Sequence, residues 1–251
     1  MLVEYLRRGV AAGAIAGVAY GLYMLLVGNP LSEYVHDAGH DHGHDHGGGH
    51  GDHAHEAGHA VSELTTAVVS AGSGLLWAIL LGGGLAVALY LLEPAIPGSE
   101  GTKTYALAGA GFLTASGVPW LVLPPAAPGA EHAYAVEPRL GIYVGLVIVG
   151  AITAVGAVAV YKRGRRRHVG LGIASGAVPV LAVVAVLTLV APTVTTHPGL
   201  PGDLVAAYQG LVVVSQAALW LLIAGSFNAL RRRESESRTG STHRTDDALA
   251  G

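Results

Sequence analysis

The chain has 251 residues, 51% hydrophobic and 12% charged, with a mean hydropathy of +0.50 and a formal net charge of -3. Soluble domains carry about 25% charged residues, so this composition points to a lipid surrounding rather than an aqueous one. There is no cysteine, which excludes disulfides, thiolate metal sites, iron–sulfur clusters and cysteine nucleophiles.

Crossing about 30 Å of hydrocarbon takes about 20 helical residues. Six apolar stretches meet that length: 9–28, 67–92, 104–123, 140–161, 170–191 and 205–230. They predict an all-α integral membrane protein with six transmembrane helices. The first stretch follows Arg7 and Arg8, as a signal peptide would, but it is too long and no small-residue cleavage pattern follows it, so it is read as a retained helix. Glycines such as those in "GAIAG" and "GGG" would weaken soluble helices; in lipid they let helix backbones approach closely. Pro119 interrupts the third stretch near its end.

The basic residues orient the helices. The chain has 14 Lys and Arg. With six spans and a cytoplasmic N-terminus, only Arg139 falls outside, which leaves thirteen inside, among them Arg7, Arg8, Lys103, the run "YKRGRRRH" and Arg231, Arg232 and Arg233. Cytoplasmic loops are the basic ones in membrane proteins, so both termini are expected in the cytoplasm of a cell-membrane, multi-pass protein. Residues 1–230 form the membrane domain, and 231–251, "RRRESESRTGSTHRTDDALAG", read as a solvated, disordered cytoplasmic tail. The basic loops are topology anchors. No nucleic-acid module accompanies them, so no nucleic-acid partner is expected.

Between the first and second spans lies "HDAGHDHGHDHGGGHGDHAHEAGH", residues 36–59, expected as an extracytoplasmic loop. It holds nine of the thirteen histidines: His36, His40, His42, His44, His46, His50, His53, His55 and His59. Neutral imidazole binds divalent first-row transition ions well. The H-x-H spacing presents two nitrogens to one ion, and Asp41 and Asp45, with Asp37 and Asp52, concentrate cations. A structured zinc site would show a few ligands on defined elements. Many redundant ligands in a low-complexity stretch describe a capture arm instead. A solvated linker is the plain alternative, and nine imidazoles in 24 residues argue against it. A pH sensor titrating near pH 6.5 is another. Ligand type does not name the metal, since Cu²⁺ binds most such sites tightest and nickel, cobalt and zinc all suit imidazole. "HDAGHDH" also satisfies H-x4-D-H, but the tract's composition produces that match by chance.

Further ligand types lie in the other outer loops. Glu33 and Glu63 flank the tract, Glu131, His132 and Glu137 fall between spans three and four, and His197 and Asp203 between spans five and six. They are candidates to converge on one mouth, with Glu131, His132, Glu137 and His197 as receivers of the ion. The plain alternative is that polar loops contain polar residues. The span cores hold no Asp, Glu, Lys, Arg or His, which argues against a charged midplane site. Thr114, Ser116, Gln209, Ser215 and Gln216 remain, as helix–helix hydrogen bonds or as a weakly coordinating path. Glu93, in "LLEPAIP", sits at the inner end of span two, as an exit-side ligand or an ordinary helix end.

The ordered motifs resemble the CbtA family of cobalt transporter subunits. "RRGVAAGAIAGVAYG" is similar to that family's opening span. "NPLSEYVHDAGHDHGHDH" is similar to its Pro-Leu, acidic, His-rich segment, and "YALAGAGFLTASGVPWLVLPPAAPGAE" to its Gly-Phe span and Pro-rich loop. "EPRLGIY" and "LVAPTVTTHPGLPGDLVAAYQGLVVVSQAALWLLIAGSF" resemble the later spans. The resemblance runs from about Tyr5 to Leu230. It implies cobalt uptake linked to cobalamin supply, often alongside a small membrane partner, CbtB. The Trp-rich stretch associated with span four in that family is here "GIYVGLVIVG", so no role of those aromatics transfers. No Walker motif is present, and the chain lacks the N-terminal His of the capture subunits in ATP-driven cobalt systems.

The expectation is therefore uptake of a divalent metal ion, Co²⁺ before Ni²⁺ or Zn²⁺, as substrate and with no prosthetic group. The alternative is a non-transporting metal-binding or sensory membrane subunit. An enzyme is not expected, because no helix carries fixed ligands such as H-E-x-x-H.

Overall fold

The computed structural model describes residues 1–40, 55–191 and 194–249, with side-chain surroundings for all of these except 40, 55–64, 66, 95 and 237–249. Helix dominates. α1 (Leu2–Tyr23) passes through a π-helical segment (Met24–Gly28) into α2 (Asn29–His40). α3 (His55–Leu92) ends in a 3₁₀ turn (Glu93–Ala95). α4 (Glu100–Phe112), a second π segment (Leu113–Gly117) and α5 (Val118–Trp120) follow. Then come β1 (Glu131–His132), α6 (Val136–Arg165), α7 (Val169–Val190), β2 (Thr195–Thr196) and α8 (Gly202–Leu249).

Five helices among the described residues are long and apolar enough to cross a membrane: Leu2–Gly39, Ala67–Leu92, Val136–Arg165, Val169–Val190 and Gly202–Glu236. The expected third span, 104–123, differs from these because two helices and a π segment share it. The backbone nevertheless stays helical from 100 to 120, with right-handed torsions at Leu113, Gly117 and Val118.

Both π segments have one cause. "MLLVGNP" and "LTASGVP" each place a proline two residues after the final glycine. Proline has no N–H, and its ring clashes with the carbonyl four residues earlier. The helix widens instead: the Asn29 N–H donates to the Met24 carbonyl, and the Val118 N–H to Leu113. Pro119 thereby orphans the carbonyl of Ala115, and the Tyr143 hydroxyl on α6 donates to it at 2.9 Å. In lipid no water is present to satisfy such a group.

The core is built from α1, α3, α4 and α8. Ala12, Ala16, Ala78, Leu85, Ala86, Leu89, Leu107, Ala108, Leu219, Trp220, Ile223 and Phe227 form one buried cluster. α1 and α3 meet through glycines, Gly9 against Gly82 and Gly13 against Ala78. A Cβ on Gly13 would lie 2.5 Å from the Ala78 carbonyl oxygen, inside contact distance. α6 and α7 form a hairpin beside this core, joined to it where Gly150 backs onto Thr114.

Two boundaries differ from the sequence reading. The tract expected as a loop over 36–59 is helical at both ends, since α2 runs to His40 and α3 begins at His55. The π segment accommodates Pro30 by widening the helix, with Asn29 kept in right-handed helical torsions, so the chain continues as helix past it. α8 also passes the 230/231 boundary and runs to Leu249.

Tyr143→Phe is expected to lower stability in detergent by about 1–3 kcal/mol, the cost of a buried unpaired carbonyl. In a Pro119→Ala background, where residue 119 regains an N–H, that cost should shrink. Equal costs in both backgrounds, read from a double-mutant cycle of unfolding free energies, would reject the pairing described for Ala115.

Candidate functional site

Three connections meet at one end of the bundle. β1 and β2 pair antiparallel, Glu131 opposite Thr196 and His132 opposite Thr195, which ties the segment after α5 to the segment after α7. The Ala133 N–H extends the ladder by donating to the Val194 carbonyl at 3.0 Å. Gln209 on α8 donates from Nε2 to the Pro125 carbonyl at 3.2 Å, anchoring the first connection to the core. Gly39, near the end of α2, backs onto Gly199 and Leu200, and Ser32 Oγ lies 3.5 Å from the Tyr208 hydroxyl. The end of α2, from which the histidine tract continues, thus joins the other two.

The expected receivers have distinct settings there. Glu131 and His132 are exposed, and His132 Nδ1 lies 3.4 Å from Thr195 Oγ1. Glu137 is exposed in the first turn of α6, where a carboxylate complements the helix dipole. His197 is half-buried, and its Nε2 accepts the Ala127 N–H at 3.2 Å. That bond requires a neutral ring with its proton on Nδ1. Burial, and after it the charge of neighbouring His132, hold the pKa of His197 below its ordinary 6.5. His197 is therefore a clasp for the 124–130 segment, and its Nε2 lone pair is already engaged.

His36 is exposed on α2, and His40, His55 and His59 lie on helical backbone. Asp41, His42, His44, Asp45, His46, His50 and His53 lie outside the described residues. Among the described residues no group of three or more His, Asp or Glu side chains is placed to hold a metal ion.

The opposite end carries ion pairs. Arg8, only 8% exposed, reaches Glu4 at 2.7 Å and Glu234 at 2.8 Å, and Arg7 reaches Glu234 at 3.4 Å. Arg231 lies between Glu93 and Glu100, at 3.1 and 3.2 Å, and Tyr5 donates to Glu93 at 2.8 Å. These pairs lock the start of α1, the end of α3, the start of α4 and the later part of α8 together. Sequence reasoning took Arg231 and its neighbours as topology anchors. Only Glu93 had drawn attention, and no periodicity could have named its partner 138 residues away.

Among the described residues, the interior between the two ends is uncharged. Gln216 and Ser116 are buried, while Ser215 and Thr153 bond back to their own helices, at the carbonyls of Val212 and Val149.

Long apolar helices, with apolar, uncharged spans between two unlike polar ends, define a multi-pass, all-α membrane protein. Residues 2–232 match the family described as probable cobalt transporter subunit (CbtA), and the chain belongs to that family. The family is one of transporter subunits rather than enzymes, and a subunit implies an assembly with other chains. No curated protein and no solved structure matches the chain.

A histidine whose pKa is depressed by folding adds stability above its unfolded value, and that stability is lost as pH falls through the lower folded value. Acid should therefore open the Ala127–His197 clasp. Between about pH 7 and about pH 5 the thermal midpoint in detergent should fall less for His197→Gln than for the parent chain. Parallel falls in the two proteins would refute that role.

Proposed function

We propose that this chain carries Co²⁺ inward across the cell membrane, with Ni²⁺ and Zn²⁺ as the competing ions, and works with a small CbtB-like membrane subunit. The histidine tract captures the ion outside, Glu131, His132 and Glu137 receive it at the mouth, and a path through the helices delivers it inward. His197, with Nε2 engaged and its proton on Nδ1, joins the ligand set only when its clasp opens.

The observation that carries this reading is the meeting of three polar connections, with the histidine tract leading from it, at the end of the bundle opposite the ion pairs. Family membership supports the substrate. Six crossings are supported by the helical course of 100–120, whose 21 residues at about 1.5 Å each reach about 31 Å. Both termini on the cytoplasmic side are supported by the contact of Arg7 with Glu234, which joins the beginning of α1 to the late part of α8, and by the arginine-rich character of that end. The six apolar stretches hold no Asp, Glu, Lys, Arg or His, so the membrane potential is the favoured driver. It supplies about 2.3 kcal/mol per charge per 100 mV, twice over for a divalent ion.

A second reading, a non-transporting metal-binding subunit, draws on the closed core, where Leu89, Leu219, Ile223 and Phe227 are fully buried. Uptake of ⁵⁷Co²⁺ into proteoliposomes with an inside-negative potential separates the two. Saturable uptake, competed by Ni²⁺ or Zn²⁺, is expected with the full assembly. Metal binding without flux, with and without the partner, would favour the second reading. Deleting residues 36–59 should lower uptake at low Co²⁺ and spare it at saturating Co²⁺. Loss at every concentration would place the tract in the pathway itself.

A further inference from the structure

We propose that Glu93, Glu100 and the side-chain carbonyl of Asn228 form an oxygen-lined release site for the divalent ion at the ion-paired end of the bundle, and that Arg231 occupies it as a tethered cation. This rests on the transport reading and names where the path ends.

Three observations converge. One guanidinium serves two carboxylates from two elements: Arg231 Nη1 lies 3.1 Å from Glu93 at the end of α3, and Nε 3.2 Å from Glu100 at the start of α4. The side chains of Arg231 and Glu93 are each only 13% exposed, while Glu100 is 72% exposed, so the cluster runs from the interior to solvent. Next, a cavity of about 300 Å³ lies beside them, lined by Glu100, Gly101, Asn228, Arg231 and Arg232 among others. At about 30 Å³ per water it has room for an ion that keeps several of its waters. Finally, Asn228 lines that cavity, is 5% exposed, and has a buried Oδ1 without a hydrogen-bond partner, while its Nδ2 donates to the Gly101 carbonyl at 3.5 Å. A buried unpaired acceptor is costly, and its complement is a donor or a cation.

The charges fit the same ligand. With Arg231 in place Glu93, Glu100 and Arg231 carry -1; with Arg231 displaced the two carboxylates present -2, offset in part by Arg232, which also lines the cavity. Carboxylate and carbonyl oxygens hold late first-row ions more weakly than imidazole does. An ion arriving from a histidine-rich mouth is therefore released where its ligands are oxygen. Tyr5, donating to Glu93 at 2.8 Å, steadies the carboxylate that Arg231 would leave.

The test uses three full-length proteins: wild type, Arg231→Gln, and Glu93→Gln/Arg231→Gln. The double variant leaves no buried charge unpaired, because the remaining Glu100 faces solvent, so it avoids the folding penalty of a broken buried pair. Each is assayed for the Co²⁺-dependent rise in thermal midpoint in detergent and for ⁵⁷Co²⁺ uptake into proteoliposomes. All three keep the histidine tract, so differences between them report the inner site. Arg231→Gln should show a larger Co²⁺-dependent rise than wild type and an initial uptake rate at least about threefold higher, and the double variant should lose the extra rise and fall to about a tenth of wild-type uptake. Equal Co²⁺ responses in the single and double variants, or wild-type uptake by the double variant, would overturn the site. Should Arg231→Gln fail to fold, wild type against the double variant decides it by uptake alone. The expected Co²⁺ responses without flux in any protein, with and without the partner subunit, would uphold the site and defeat the transport reading.

Discussion

The seam between α1 and α3 is the contact on which the rest of the bundle depends. Lipid tails are as apolar as the helices, so no hydrophobic drive pushes two such helices together; close packing has to do it. Gly9, Gly13 and Gly17 lie four apart on α1 and face Ala78, Gly82 and Leu75 of α3, at distances no larger residue would allow. This close approach gives α8 a surface on which Leu219, Ile223 and Phe227 bury completely. It also sets the start of α1 beside the end of α3, where Tyr5 reaches Glu93 and Arg8 reaches Glu234. A single Cβ in that seam would propagate to the ion pairs at the far end.

The two ends of the molecule differ in chemistry because they differ in how their polar groups are satisfied. At the ion-paired end, charges on four elements neutralise one another in a half-buried setting, where removing one partner costs far more than the pair is worth. At the other end, backbone hydrogen bonds and one neutral histidine hold the connections together, and the carboxylates Glu131, Glu137 and Asp203 stay exposed. Exposed carboxylates and imidazoles can exchange water for a metal; ion-paired ones must first surrender a partner.

Much of this was legible in the sequence and some of it was not, for definite reasons. Helix-length apolar runs show the spans directly, since lipid admits no other economical backbone. "GVAAGAIAG" announces a close helix contact, though not with which helix. The π segments were hidden because Pro119 reads as a break, whereas a glycine two residues before it lets the helix widen and continue. The second signal of that kind, Gly28 before Pro30, explains why α1 continues into α2 instead of stopping at the expected end of the first span. His197 looked like a ligand because residue type carries no record of a neighbour; only the fold brings the Ala127 N–H to its Nε2. Arg231 was hidden for the same reason. In a run of three arginines nothing distinguishes the one that faces two carboxylates.

The π segment in 113–117 also joins two parts of unlike construction. On one side stands the core of α1, α3, α4 and α8. On the other stands the α6–α7 hairpin, closed at its far end by the turn between Arg165 and Val169 and at its near end by the β1–β2 ladder. α7 buries none of its apolar window within the chain, so the hairpin borrows little stability from the core. Its ties are few and specific: Tyr143 to the Ala115 carbonyl, Gly150 against Thr114, and Gln209 to the Pro125 carbonyl. Each tie ends on a backbone group, two of them in the π segment itself. His132 and His197 ride on the ladder that closes this hairpin, whereas Glu93, Glu100 and Arg231 belong to the core. The imidazole-bearing connections are thus fixed mainly to the hairpin, and the Glu93–Arg231–Glu100 cluster to the core. The π segment that Pro119 imposes carries two of the three ties between them, and Gln209 on α8 carries the third.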